Sequence, residues 1–129
     1  MDKKLQARLK RELVVWFVTA DRATAKPQSV PVWFLWNGDS FLIYSAPGIK
    51  ERHVRSNPNV ELHFNSDPAA DEVVRASGKA RIVKSEPPAD KVPVFIRKYG
   101  DQIKGFGWTP AEFARRYPHA IRVREVRFR

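Results

Sequence analysis

Between Gln28 and Phe64 the chain alternates between apolar runs and polar breaks in an order that predicts strand, turn, strand, short helix, strand. Apolar residues crowd both sides of Asn37-Gly38-Asp39. Asn-Gly between two such runs is a strong hairpin signal, because both residues tolerate the positive φ of a primed turn. In the first hairpin strand, Gln28 to Trp36, the side chains of Val30, Val32, Phe34 and Trp36 share one face. Trp33 and Leu35 make the other face apolar as well, so one face is expected to fill a core and the other to meet a second subunit or a ligand. Ser45-Ala46-Pro47-Gly48 ends the second strand. Ile49 to Arg55 then has the composition of about two helical turns, stopped by Asn57-Pro58. From Val60 to Asn65 the alternation is strict, with Val60, Leu62 and Phe64 inward and His63 on the polar side.

The flanking segments complete the pattern. Leu5, Leu9 and Leu13 recur at helical spacing within charged surroundings, which predicts a docking helix over Asp2 to Glu12. Leu13 to Thr19 is β-branched and aromatic throughout, as expected of a central strand covered on both faces. Val73 to Lys84 reads as a long strand in which Gly78 marks a bulge or a close approach. Ala89 to Tyr99 reads as a helix with Val92, Ile96 and Tyr99 on one side, followed by a flexible connection through Gly100, Gly105 and Gly107. Thr109-Pro110-Ala111-Glu112 is a capping box with proline at the first helical position, and it opens a helix ending near Pro118. In the last strand, His119 to Arg129, the apolar positions switch from Ile121 and Val123 to Val126 and Phe128, which requires a bulge near Arg124-Glu125. Many short strands joined by tight turns favour a small barrel over a doubly wound sheet. At 129 residues, without repeats or a composition break, the chain is expected to form one domain.

Composition narrows the chemistry. The 43% hydrophobic and 12% aromatic content excludes a disordered chain, while no apolar run approaches the ~20 residues of a membrane span. Met1 to Gln6 lacks the pattern of a signal peptide, so a cytoplasmic location is expected. The absence of cysteine excludes disulfides, thiolate nucleophiles and Cys-ligated metals. Lys and Arg total 24 against 14 Asp and Glu, and the resulting +10 favours an anionic partner: a phosphorylated or polycarboxylate cofactor, nucleic acid or an acidic lipid surface. His53, His63 and His119 have no carboxylate at metal-ligand spacing, so no metal site is expected. What stands out is the basic helix start beside Lys50 and Arg52, where unpaired amides and cations make an anion site. Pro31 cannot donate to a ladder and so belongs at a sheet edge or bulge, either as an ordinary edge strand or as a backbone surface against a planar ring. A basic barrel binding single-stranded nucleic acid through Trp33, Trp36, Trp108 and the arginine-rich last strand is a further reading. Its aromatic residues, however, sit in apolar runs rather than among the basic positions.

Taken together, Pro31-Val32-Trp33-Phe34-Leu35-Trp36-Asn37-Gly38-Asp39, Leu42-Ile43-Tyr44-Ser45, and the series Lys50, Arg52, Val54, Asn57-Pro58, Val60, Leu62, Phe64 resemble the split β-barrel flavin and deazaflavin oxidoreductases related to pyridoxamine-phosphate oxidase. Ile96, Lys98-Tyr99, Thr109-Pro110, Glu112-Phe113 and Ala120-Ile121-Arg122-Val123 are similar to the branch associated with coenzyme F420. The resemblance implies a mainly β, six-stranded Greek-key split barrel. It also implies a homodimer with the cofactor at the subunit interface, and hydride transfer between F420 and a conjugated small-molecule substrate, with FMN as the alternative cofactor. On the same basis Ser29, Val30, Pro31, Val32 and Trp33 line the ring with backbone groups, Tyr44 and Ser45 lie near the ribityl chain, and Lys50 holds the phosphate. Arg52 is either a second phosphate contact or the structural partner of a carboxylate. Relatives often carry a basic residue two positions before the matching lysine, and here Gly48 stands there. No catalytic acid is assigned. Tyr44, His63 and solvent are the possible proton donors.

Overall fold

The computed structural model describes residues 1–129. Its helices are α1 (Lys3–Arg11), α2 (Ile49–Ser56), α3 (Pro93–Gly105) and α4 (Pro110–Arg116), with a 3-10 turn at Ala89–Lys91. Its strands are β1 (Val15–Ala20), β2 (Pro27–Val32), β3 (Leu35–Trp36), β4 (Phe41–Ser45), β5 (Asn59–His63), β6 (Arg75–Ile82) and β7 (His119–Phe128). All pairings are antiparallel, in one sheet of order β2-β1-β5-β6-β7-β4-β3. No helix is long and apolar enough to cross a membrane.

The mainly β expectation holds, but the sheet has seven strands rather than six. The difference arises at Trp33-Phe34. The stretch from Gln28 to Trp36 is not one strand: β2 pairs with β1 at one edge of the sheet, and β3 pairs with β4 at the opposite edge. The three virtual bonds from Val32 to Leu35 reach at most about 11 Å. The two edges therefore face each other, and the sheet curls into a split barrel. Tyr99 occupies the break and is fully buried. Its hydroxyl accepts from the Phe34 N–H at 2.9 Å and has one proton for two carbonyls, Leu13 O at 2.8 Å and Phe34 O at 3.0 Å. A side chain thus supplies the bonds that an uninterrupted ladder would have made.

The hairpin between β3 and β4 is present. Beyond the Trp36–Phe41 pair, Asn37 N donates to Ser40 O at 3.2 Å, so residues 38 and 39 form its tip. Gly38 has φ +105°, whereas Asn37 stays outside the left-handed region. Instead the Asn37 Oδ1 accepts from the amides of Asp39 (3.1 Å) and Ser40 (2.9 Å), so its side chain closes the turn.

Two cores result. Phe17, Phe34, Ile43, Leu62, Ile121 and Val123 fill the barrel, and Leu9 of α1 seals it. Leu42, Tyr44 and Ala120 face outward and pack beneath α3 and α4, against Phe95, Tyr99 and Phe113. The strand covered on both faces is therefore β4, buried at every position; β1 instead alternates between buried and half-buried residues. On the second face of the first hairpin strand, Trp33 stacks on Tyr99 and Phe113 of the chain's own helices. Three further boundaries differ from expectation. Leu13 lies beyond α1 and is exposed. The helix expected from Ala89 begins at Pro93, where proline fits the first turn, and it runs through Gly100 to Gly105. The extended strand at residues 73–84 shortens to β6.

Gly78 and the last strand behave as the pattern implied. Register passes from Ser77 paired with Arg127 to Lys79 paired with Arg124, so β7 carries an extra residue there, and Glu125 takes φ +54°. A Cβ on Gly78 would lie 2.6 Å from Val123 Cγ1 and 3.0 Å from Arg124 O, so only glycine fits beneath the bulge.

Candidate functional site

The site begins where β4 ends. Ser45 is fully buried and its hydroxyl donates to Ala46 O at 2.8 Å, which fixes the exit of the chain toward α2. Gly48 is the N-cap residue in extended conformation and supplies no side-chain cap. The first intrahelical bond runs from Arg52 N to Gly48 O at 3.2 Å, so the amides of Ile49, Lys50 and Glu51 precede the ladder and have no helical acceptor. A Cβ at Gly48 would meet nothing within 4 Å, so the space beside these amides is open.

Lys50 stands at this helix start, half-buried, with no carboxylate paired to it. Burial pulls its ammonium below the usual lysine range, opposed by the charge of Glu51. That carboxylate is engaged elsewhere: Glu51 lies 3.0 Å from Arg55 Nη2 and 3.0 Å from His119 Nε2. The cation and the positive end of the helix dipole therefore both favour an anion here.

Lys50 opens into a cavity of about 280 Å³ that it shares with Pro31, Val32, Trp33 and Tyr44. Much of the remaining lining is aromatic, formed by Phe106, Trp108, Phe113 and Tyr117 from the α3–α4 region. Trp33 lies nearly parallel to Tyr99 (4.5 Å, 6°) and to Phe113 (5.2 Å, 12°). Phe106 stacks on Trp108 at 5.1 Å, and Phe113 on Tyr117 at 4.7 Å. Tyr44 donates its hydroxyl proton to Pro87 O at 2.6 Å. Burial, with the Glu86 charge adding and Arg122 opposing, pushes its pKa up to about 12, so its ring contributes surface rather than a mobile proton.

Five of the expected site residues thus meet: Pro31, Val32, Trp33, Tyr44 and Lys50. The others do not line the cavity. Ser29 is exposed on the β2 edge, and Val30 packs against the barrel core. Arg52 is exposed and pairs with no carboxylate, so the structural-partner role considered for it is absent. His63 stacks on Trp16 at 6.2 Å and lies outside the cavity. Sequence reasoning missed the aromatic wall. Its signal was the i, i+4 spacing of Phe113 and Tyr117 on one face of α4, together with Gly107, whose φ of +78° turns the chain between Phe106 and Trp108. Flat aromatic walls, an unpaired cation and free amides suit a planar ring bearing an anionic tail.

No curated protein matches the chain. Among solved structures, a protein described as an F420 reductase is 20% identical, with a TM-score of 0.71 over 100% of this chain and 98% of its own. A putative pyridoxamine 5'-phosphate oxidase from Listeria innocua is 20% identical, with a TM-score of 0.69 over 97% and 94%. HutZ, a haem storage protein from Vibrio cholerae, is 13% identical, with a TM-score of 0.60 over 97% and 92%. At these identities the likeness establishes the fold. The family model for pyridoxamine 5'-phosphate oxidase matches residues 1–129, and with the split barrel and its edge-strand cavity already in place, the chain belongs to that family.

Proposed function

We propose that the chain is an oxidoreductase that binds coenzyme F420 in the Lys50 cavity and passes hydride between the deazaflavin and a conjugated organic substrate. The observation that carries this reading is the half-buried, unpaired Lys50 ammonium at the start of α2, opening onto a cavity lined mainly by aromatic side chains. Family membership and the structural likeness to a protein described as an F420 reductase support it. A bound deazaflavin supplies the hydride chemistry, and the protein supplies binding, orientation and exclusion of water. Lys50 and the adjoining amides would hold the phosphate, each charge-assisted bond contributing about 1.5–3 kcal/mol. The backbone of Pro31 to Trp33 would border the ring, with Tyr44 next to the ribityl chain. A formal charge of +10 also suits the oligoglutamate tail of this coenzyme.

The cavity, at about 280 Å³, falls just below the ~300–1,000 Å³ usual for ligand pockets. A second copy of the chain is proposed to complete it, giving a homodimer with two sites. Solvent is the proposed proton source, because Tyr44 is tied to Pro87 and His63 lies elsewhere. The same seat accommodates the phosphate and ring of FMN. Haem iron takes His, Cys, Met or Tyr as its axial ligand. Of these only tyrosine borders the cavity.

Titration of the protein with F420, FMN, haemin and an oligonucleotide, followed by fluorescence, tests the reading. Saturable, salt-tolerant binding of F420, tighter than FMN, is expected. FMN binding without F420 binding would assign the site to the flavin. Tight haemin binding with neither flavin, or oligonucleotide binding that falls steeply with salt, would contradict the proposal.

A further inference from the structure

A second cavity, of about 570 Å³, shares no residue with the first and opens between α1, β3 and α3. Its volume lies within the ~300–1,000 Å³ range of small-molecule sites. Leu9, Leu35, Trp36 and Val94 give it apolar walls, while Lys10, Arg97 and Lys98 contribute three cations and no acidic residue borders it. None of the three pairs with a carboxylate. Lys98 is the part that the fold has built in. Its Nζ lies 3.8 Å from the centroid of the Phe34 ring and 5.2 Å from that of Tyr99, and it donates to Phe34 O at 3.0 Å. An ammonium carries three donors, so two remain without a protein acceptor. Burial pulls its pKa down to about 8, opposed by Glu12, whose carboxylate is itself held by Arg8 at 3.2 Å. A half-buried cation with spare donors beside apolar walls matches a ligand with one anionic head and an apolar body, and a fully hydrated inorganic ion would leave those walls unused.

We propose that this cavity binds an amphipathic organic carboxylate, its head on Lys98 with Arg97 and Lys10 at the rim, and its body against Leu9, Leu35 and Trp36. The inference stands apart from the reading of the Lys50 cavity.

Isothermal titration with 2-naphthoate and its neutral analogue 2-naphthamide tests it, on the wild-type chain and on the Lys98→Met and Lys50→Ala variants. Naphthoate is expected to saturate the wild type and Lys50→Ala alike, and to bind Lys98→Met about tenfold or more weakly, as loss of one charge-assisted bond requires. Naphthamide should bind the wild type about tenfold or more weakly for the same reason. Absence of saturable naphthoate binding, equal binding of the amide, or loss in Lys50→Ala with retention in Lys98→Met would overturn the proposal. If circular dichroism shows Lys98→Met to be unfolded, the double variant Lys10→Gln/Arg97→Gln, at exposed positions, carries the test: weakened naphthoate binding supports the site, and unchanged affinity refutes it.

Discussion

Three side chains govern most of what the chain can do, and each is held in a state that water would not favour. Lys50 keeps a cation half out of water with no carboxylate paired to it, and its proposed role at the cofactor phosphate rests on that. Lys98 shows the same physics with a measurable pH signature. Its pKa falls from the ordinary 10.5 to about 8 in the folded chain, so between those values the unfolded state binds more protons. Stability therefore rises with pH through that window, and the cost of burying the charge is present in full below about pH 8. Denaturant melts of wild type and Lys98→Met should show the wild type gaining relative to the variant from pH 8 to pH 10; a constant difference would deny the burial effect. Tyr99 is the third. Tyr99→Phe leaves the buried Phe34 N–H without an acceptor and should cost about 1–3 kcal/mol in chemical denaturation. A loss under 0.5 kcal/mol would mean the barrel break does not depend on that hydroxyl.

At the level of elements, the parts readable in the sequence were those with local chemical punctuation. The capping box at Thr109 is present, with Thr109 Oγ accepting from Glu112 N at 3.1 Å and Glu112 reaching back to Thr109 N at 3.2 Å. Thr109→Ala should lower stability by about 1 kcal/mol, measurable as a reduced denaturation midpoint at unchanged slope. The bulge in β7 was equally legible, because a switch from odd to even apolar positions has no other solution within one strand. Gly78 beneath it gives a sharper test. Gly78→Ala places a methyl group against Val123 and the Arg124 carbonyl and should destabilise by about 1–3 kcal/mol, whereas Gly105→Ala, which has open space, should not. The break between β2 and β3 was not legible. Nothing local distinguishes Trp33-Phe34 from the rest of an apolar run, and the break is imposed by the distant Tyr99 and by closure of the sheet. The coverage of β1 was misassigned for the same reason, since apolar content does not say which helices arrive on which face.

For the molecule as a whole, the order of strands and turns was enough to expect a barrel, and the residues of the first hairpin and of α2 were enough to expect an anion seat beside an edge strand. The spacing of Phe113 and Tyr117 did not by itself place the aromatic wall, because Phe106 and Trp108 reach the cavity only through the packing of α3 and α4 against the outside of β4 and β7. That packing also separates two cationic cavities, one headed by Lys50 and one by Lys98. The most direct test of the proposed function compares the dissociation constant of F420 for the wild-type chain and for Lys50→Ala, both checked for folding. If Lys50 makes the proposed charge-assisted contact to the phosphate, affinity should fall by roughly ten- to a hundredfold, or about 1.4–2.7 kcal/mol. Equal affinity in the two proteins, or no binding to either, would contradict the assignment of this cavity as the cofactor site.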